Sequence, residues 1–317
     1  MYVFAWILGI IVSLNVIGFA INKIFFSNEL EVISPYGEMV EVNNQKMHVY
    51  SMGQGEQTII LLPGMGLPLP SADFGPLMRE LSKDYTVVTV EYFGMGFSDE
   101  TDTPRTNENY MEEIRIALSM AGMKPPYVLM PHSVSGVYSE YYAANYPDEV
   151  SAIIMLDTTP TVKMESNLQT IIMEPKFVKT MSVFNTLLQE TGLKRIVYGL
   201  LPTAQTVENG YTEKEISDSK LFTYHAFNDT IMNQALSLND IVNEVNSVVF
   251  PSELPVLKLI SSVSLKQLKD GEEIQKNHLN RLGTNAESKL IDGSHGFFQT
   301  NVTDISDATS NFLKKIN

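Results

Sequence analysis

From Tyr2 to Ile21 the chain runs for twenty residues without a charge, interrupted only by Ser13, Asn15 and the glycines Gly9 and Gly18. Beyond Phe26 the pattern changes to short β-branched runs that alternate with amphipathic stretches. Buried parallel strands read as near-continuous apolar runs, so this alternation predicts a mostly parallel sheet with helices on both faces. Eight strands are predicted, near 38–42, 47–51, 57–62, 85–90, 126–131, 151–156, 255–260 and 286–291, the first two joined by a turn at Asn43-Asn44. Helices are predicted near 73–83, 107–121, 134–145 and 303–315, the third ending at Pro147, which cannot continue a helix.

The opening apolar run is long enough, at 1.5 Å per residue, to span the roughly 30 Å hydrocarbon core of a bilayer. Tyr2 and Trp6 lie near one end and Lys23, Phe25 and Phe26 near the other, a placement that suits interfacial anchoring. Residues 1–26 are therefore expected to form a single-pass membrane anchor. A cleaved signal peptide is the competing reading, with Gly18-Phe19-Ala20 as its small-x-small site. Against it stand the length of the run and the lack of any Lys or Arg ahead of it. Lys23 favours a cytoplasmic body, yet large domains translocate regardless of charge, so the side of the membrane stays open.

One connection is too long for a simple crossover. Nearly a hundred residues separate Thr158 from about Glu253, between consecutive sheet strands. Phe177, Met181, Phe184 and Leu188 recur there at helical spacing, as do Ile231, Ala235, Leu238, Val242 and Val245. Thr212 with Glu215 reads as a capping box. A helical cap over 159–253 is predicted, with these stripes as its own core, inserted into a core domain made of 36–158 and 254–317. No internal repeat or low-complexity tract is present.

Composition narrows the function classes. The 317 residues carry 22 Lys plus Arg against 37 Asp plus Glu, a net charge of −15, which repels phosphate backbones and makes a nucleic-acid partner a poor expectation. With no cysteine there is no disulfide framework, thiolate zinc site or Cys nucleophile. P-loop, His-Glu-x-x-His and dinucleotide fingerprints are absent, and no cofactor or metal is implied.

The chemistry gathers in one stretch. Tyr127-Val-Leu-Met-Pro131 runs into His132-Ser133-Val134-Ser135-Gly136 and then a helix: strand, tight turn carrying a serine, helix. That context lifts a serine oxygen out of a sheet and offers it helix N-terminal N–H groups. Leu62-Pro63-Gly64-Met65-Gly66 follows the third strand, Gly94-Met95-Gly96-Phe97-Ser98-Asp99 the fourth, and Gly293-Ser294-His295 the last. Over nearly everything after residue 36, the order of these four motifs resembles the α/β-hydrolase superfamily. The resemblance implies an eight-stranded α/β-hydrolase core, Ser133 as nucleophile and His295 as general base. It also implies Val134 and Met65 N–H as oxyanion donors, and it puts Gly64, Gly66 and Phe297 at the substrate.

Two positions depart from the family's G-x-S-x-G: Pro131 and Ser135 stand where glycine is usual. Ser135 is the rival serine, but choosing it would place Ser133 and Val137 at the crowded flanking positions. His132 is expected to be structural. His48 and His278 lack a catalytic context, and His225, in the cap, could at most line a pocket. The acid does not follow from a single motif. The loop after the seventh strand, Leu257 to Ser264, where family members commonly carry it, contains none, and Asp270 comes several residues late. Some superfamily members use the end of the sixth strand, and Val150-Ser-Ala-Ile-Ile-Met-Leu-Asp157 ends in an aspartate. Asp157 lies 24 residues after Ser133, one helix plus one strand, which returns the chain to the same sheet edge. Asp157 is therefore expected as the orienting acid, with a helix-capping role as its alternative and Asp270 and Asp292 in reserve.

A serine at the elbow disfavours the halide- and epoxide-cleaving branches, which resemble this fold but use an aspartate there. The expected activity is a membrane-anchored serine hydrolase acting on a small-molecule acyl substrate, an ester first, with Met65, Met95, Met173 and Met181 suggesting an adaptable apolar pocket. The alternatives are a non-catalytic binder or receptor on the same scaffold, which the altered elbow favours, and an anchored structural partner, which leaves the triad unexplained.

Overall fold

The computed structural model describes residues 2–162 and 175–316, apart from the side chains at 3, 5, 8 and 11. Its eight strands are β1 (Glu38–Val42), β2 (Gln45–Met52), β3 (Thr58–Leu62), β4 (Thr86–Val90), β5 (Tyr127–Pro131), β6 (Val150–Leu156), β7 (Val256–Ser261) and β8 (Ala286–Ile291). They form one sheet in the order β1-β2-β4-β3-β5-β6-β7-β8. β2 runs antiparallel to β1 and β4, and every later pairing is parallel. Each strand falls on its predicted run. The β1–β2 hairpin closes with only two residues between strands, Asn43 and Asn44, both left-handed (φ 52° and 64°), a turn whose twist matches the strands and which asparagine tolerates.

Side chains of successive strand residues point to opposite faces, so the sheet divides its apolar set between two cores. Ile60, Leu62, Val88, Val90, Leu129, Ile153 and Met155 join Tyr110, Ile114, Tyr138 and Tyr142 on one face. The last four lie on helices α4 (Asn107–Met120) and α5 (Ser135–Asn145). Ile59, Leu61, Val87, Val128, Met130, Ile154 and Leu156 meet Phe74, Leu77, Ile305 and Phe312 on the other, with α2 (Pro70–Asp73) followed by α3 (Gly75–Leu81) and the terminal helix covering that side. All the parallel strands end on one sheet edge, and the connections at that edge hold the candidate site.

Between β6 and β7 lies the predicted cap, with α6 (Pro175–Glu190), α7 (Leu193–Leu200), α8 (Glu213–His225) and α9 (Asp229–Ser247). The capping box on α8 is present as expected, Thr212 accepting from Glu215 N–H while the Glu215 carboxylate accepts from Thr212 N–H. On α9, Ile231, Leu238 and Val245 are buried against the sheet-facing core. The other stripe departs from expectation. Phe177, Met181 and Phe184 on α6 are exposed, because α6 meets α7 and α9 along one side only and turns most of its apolar residues outward. After β7 come α10 (Ser262–Gln267), α11 (Gly271–Leu282), β8 and α12 (Val302–Ile316).

Ahead of the sheet, α1 (Tyr2–Phe25) is one uninterrupted 24-residue helix with Lys23 in its last turn and no acid in its first. Its described large apolar residues, from Tyr2 and Trp6 to Ile24 and Phe25, are exposed. Among the described residues no helix is long and apolar enough to cross a membrane, so the transmembrane span expected over residues 1–26 finds no support there.

A buried polar cluster ties the helix behind the elbow to the rest of the core. Glu140 on α5 accepts from His278 Nε2 at 2.8 Å and Arg281 at 2.7 Å, both on α11, and from Thr161 Oγ1 at 2.6 Å. Lys258 on β7 contacts the other ring nitrogen of His278. Burial pushes Lys258 down to about 7 and His278 to about 4, so Glu140 is the charge that Arg281 neutralises. Removing one partner of a buried ion pair costs about 3–5 kcal/mol. Glu140→Ala is expected to lower the unfolding free energy by about that amount in urea titration, with an unchanged denaturant slope.

Candidate active site

The elbow is built from the end of β5 upward. Pro131 closes the strand opposite Leu62, His132 N–H donates to Leu62 O at 2.9 Å, and Ser133 N–H donates to Leu156 O at 3.2 Å. Ser133 itself has φ 56°, the left-handed region that costs a non-glycine residue about 1–3 kcal/mol and persists only where surrounding contacts over-determine it. Here the Ser133 carbonyl accepts from Gly136 N–H at 3.2 Å and from Thr159 N–H at 3.0 Å. The close approach that normally demands glycine two residues after the serine falls one residue later. A Cβ on Gly136 would sit 2.4 Å from Thr158 Cβ. Ser135 is thereby free to carry a side chain, and it is fully buried, donates to Pro63 O at 2.5 Å and lies 2.9 Å from the Tyr92 hydroxyl. The rival serine is a strut inside the core.

Asp157 leaves β6 in the left-handed region too, with φ 44°. Its Oδ2 lies 2.7 Å from His295 Nδ1, and its Oδ1 accepts from Ser261 N–H at 2.9 Å. Burial alone would raise this carboxyl. The hydrogen bonds from His295, Ser261 and Ser264, together with the His295 charge, outweigh it and hold the group below the usual carboxylate range. An ionised Asp157 fixes the proton of His295 on Nδ1 and leaves Nε2 free to accept. The neighbouring histidine supports this ring. His132 is buried, its Nε2 donates to His295 O at 3.1 Å, and its ring packs 4.6 Å from that of His295. Burial and the adjacent His295 push His132 down to about 3, so it is a neutral spacer, in keeping with its sequence context. The reserve acids lie elsewhere: Asp270 precedes α11 without touching His295, and Asp292 accepts from Ser262 Oγ at 2.8 Å. His48 is buried with Nε2 accepting from Gly37 N–H, and His225 pairs with Glu29.

Ser133 Oγ makes no hydrogen bond among the described residues, and the His295 side chain is half exposed. Such pairs tighten when a substrate completes the site. Over the elbow passes the loop after β3. A Cβ on Gly64 would lie 2.7 Å from His132 Nδ1 and 3.0 Å from Ser133 Cβ, so glycine is what lets this loop reach the serine. Neither Met65 N–H nor Val134 N–H donates to any described residue. Gly66 continues the turn with φ 74°.

A cavity of about 610 Å³ opens between this loop and the cap, with Gly66, Leu67, Tyr198, Leu201, Phe227 and Gln299 among its walls. Gly66 of the β3 loop is its link to the elbow, and none of Ser133, Asp157 and His295 lines it. Its wall includes two buried ionisable side chains that sequence patterning did not single out, Asp73 and Lys194. Burial pushes the Asp73 carboxyl up to about 7 against hydrogen bonds from Leu69 N–H, Ser219 and Gln205. Of the expected substrate contacts, Gly66 lines this cavity and Phe297 does not. Phe297 is buried among Ile291, Phe298 and Ile305, because the turn after His295 points it into the lower core. The methionine reading also changes: Met95 is sealed in the sheet core, Met181 is on the outer side of α6, and Met173 lies outside the described residues.

Known proteins resemble this chain at two levels. Residues 57–197 match the family model described as alpha/beta hydrolase fold. The protein YbdG of Bacillus subtilis is 26% identical over 325 residues, covering 99% of this chain and 97% of its own. A 2-(acetamidomethylene)succinate hydrolase from Mesorhizobium japonicum is 30% identical over 127 residues, 40% of this chain and 44% of its own. In three dimensions an epoxide hydrolase from Vigna radiata superposes with a TM-score of 0.67 at 17% identity, over 88% of this chain and 97% of its own. With the sheet order, the elbow and these matches together, the chain has the α/β-hydrolase fold, and residues 57–197 match that family's model.

Proposed function

We propose that this protein is a membrane-anchored serine hydrolase that cleaves a carboxylic ester. The observation that carries the reading is the pairing at 2.7 Å of a low-pKa Asp157 with His295, on the same edge as a serine held in the strained turn of an elbow. Ser133 Oγ attacks the acyl carbon while its proton passes to His295 Nε2, and the carbonyl oxygen gathers negative charge between Met65 and Val134 N–H. The C–O bond to the alcohol breaks, the alcohol leaves with the proton from His295, and Ser133 is acylated. Water then attacks the acyl carbon, gives a proton to His295, and releases the acid as Ser133 recovers its hydrogen. Asp157 stays ionised throughout, which stabilises the imidazolium at each crest.

The epoxide hydrolase likeness concerns the fold. Opening an epoxide on this scaffold calls for a carboxylate nucleophile, whereas a serine with a histidine base suits acyl carbonyls. Anchoring by α1 is the second half of the reading. Among the described residues, α1 carries no acid and turns its large apolar residues to the outside, and a bilayer covers such a surface.

Labelling with a fluorophosphonate probe is expected for the wild type and for Ser135→Ala, and is expected to vanish for Ser133→Ala; a folded wild type that refuses the probe points instead to a binding protein. Asp157→Asn should lower turnover of p-nitrophenyl esters by roughly 10³–10⁴-fold while Asp270→Asn leaves it within about twofold, and equal small losses would remove Asp157 from the mechanism. Gly64→Ala forces the β3 loop off His132 and should cost about 10²-fold in kcat with little change in KM, the signature of a displaced oxyanion donor.

A further inference from the structure

Two cap helices carry their polarity the wrong way round for a surface that faces water. On α7, Leu193, Ile196, Val197 and Leu200 sit at i, i+3, i+4 and i+7, a single stripe, and all four are exposed, Ile196 at 61% and Leu200 at 82%. The one residue that α7 buries is Lys194, 4% exposed. On α6 the sole buried residue is Ser182, while Val183 is 70% exposed and Phe184 and Leu187 lie open beside it. An amphipathic helix at a water-facing surface turns such a stripe inward, and contiguous apolar patches of this extent mark interaction sites.

The position of the patch indicates what covers it. The end of α1 is bonded to this same hairpin: Asn22 Nδ2 donates to Gln189 O at 3.1 Å and to Glu190 O at 3.3 Å. Gly18 passes so close that a Cβ would lie 2.6 Å from Thr191 O. Arg195 on α7 pairs with Glu29, and its guanidinium sits 4.1 Å over the Phe26 ring. The apolar surface of α6 and α7 therefore continues that of α1 at the point where α1 joins the body. Beneath it, the cavity runs from Tyr198, Gly199 and Leu201 on the hairpin side to Gly66, next to the Met65 amide.

We propose that the α6–α7 hairpin is seated in the leaflet that α1 leaves, and that the cavity beneath it receives the acyl chain of a membrane-dissolved ester directly from that leaflet. The substrate class is a long-chain acyl lipid ester. This rests on the anchored-hydrolase reading, and it goes further in assigning the cap a membrane face and the substrate a lateral route. Insertion of an apolar stripe to the acyl boundary is the behaviour of interfacial helices, whose binding scales with the buried apolar area.

The test uses the full chain in phosphatidylcholine vesicles with brominated acyl chains. Trp6 is the protein's single tryptophan, so Leu200→Trp and Val183→Trp, each in a Trp6→Phe background, report the hairpin alone. Bromolipid quenching of Trp6 in the wild type and of both introduced tryptophans is the expected result. Quenching of Trp6 with position 200 open to aqueous acrylamide overturns the membrane face of the cap while sparing the anchor. Protection of position 200 from both quenchers overturns it in favour of a protein partner, a second copy included. Loss of quenching at Trp6 itself removes the anchor and this proposal with it. In a second arm, Ile196→Lys combined with Leu200→Lys should lower turnover of a long-chain ester in vesicles by about tenfold or more and leave a soluble short-chain ester within about twofold. Equal losses on the two substrates would show that the hairpin serves only to hold the cap together.

Discussion

The structure is organised around one strained residue. Ser133 holds a left-handed backbone, and its neighbours make that conformation the only one available. The Leu62 and Leu156 carbonyls, on the two flanking strands, accept from the His132 and Ser133 amides. Thr158 packs so tightly on Gly136 that no side chain fits there. Ser135 is bonded into the core through Pro63 and Tyr92. The strain of one turn, about 1–3 kcal/mol, is small against the packing of three central strands, and it places a hydroxyl at the end of the sheet with unbonded amides nearby. Altered flanking residues, Pro131 and Ser135, change how the turn is supported and leave its geometry in place.

The same edge gathers the other parts because parallel strands deliver all their C-terminal ends to one side. Asp157 arrives one helix and one strand after the serine, and β7 supplies the Ser261 amide that helps keep its carboxylate ionised. β8 supplies His295, steadied through its backbone by the neutral His132. The three chemical groups thus come from separate connections, each held by strands that are buried on both faces. Above them the cap and α2 enclose a cavity whose wall holds the buried Asp73 and Lys194, and α1 meets the outer side of the cap.

Sequence and structure divide this protein along a physical line. Patterns whose cause is local were legible: the eight strands, the two-asparagine hairpin turn, the capping box at Thr212 and Glu215, and the elbow. Each depends on backbone preferences within a few residues or on burial by a sheet that every strand shares. The pairing of Asp157 with His295 was also legible, because chain order and strand spacing constrain which sheet edge a residue reaches.

What sequence spacing could not decide is which side of an apolar stripe faces what. Phe177, Met181 and Phe184 recur at the same helical period as Ile231, Leu238 and Val245, yet the first set is exposed and the second is buried. Periodicity records that a helix has an apolar face and carries no information about the neighbour that covers it. Phe297 and Met95 likewise lie within motifs that suggest a pocket, but packing turns them into the core. The sequence by itself determined the fold, the serine-bearing turn and the chain order of Ser133, Asp157 and His295, because short-range sterics and strand burial dictate them. Only the tertiary structure decided the Ser261 amide on Asp157, the buried Asp73 and Lys194 of the cavity wall, and the outward face of the cap, because each depends on residues brought together from distant parts of the chain.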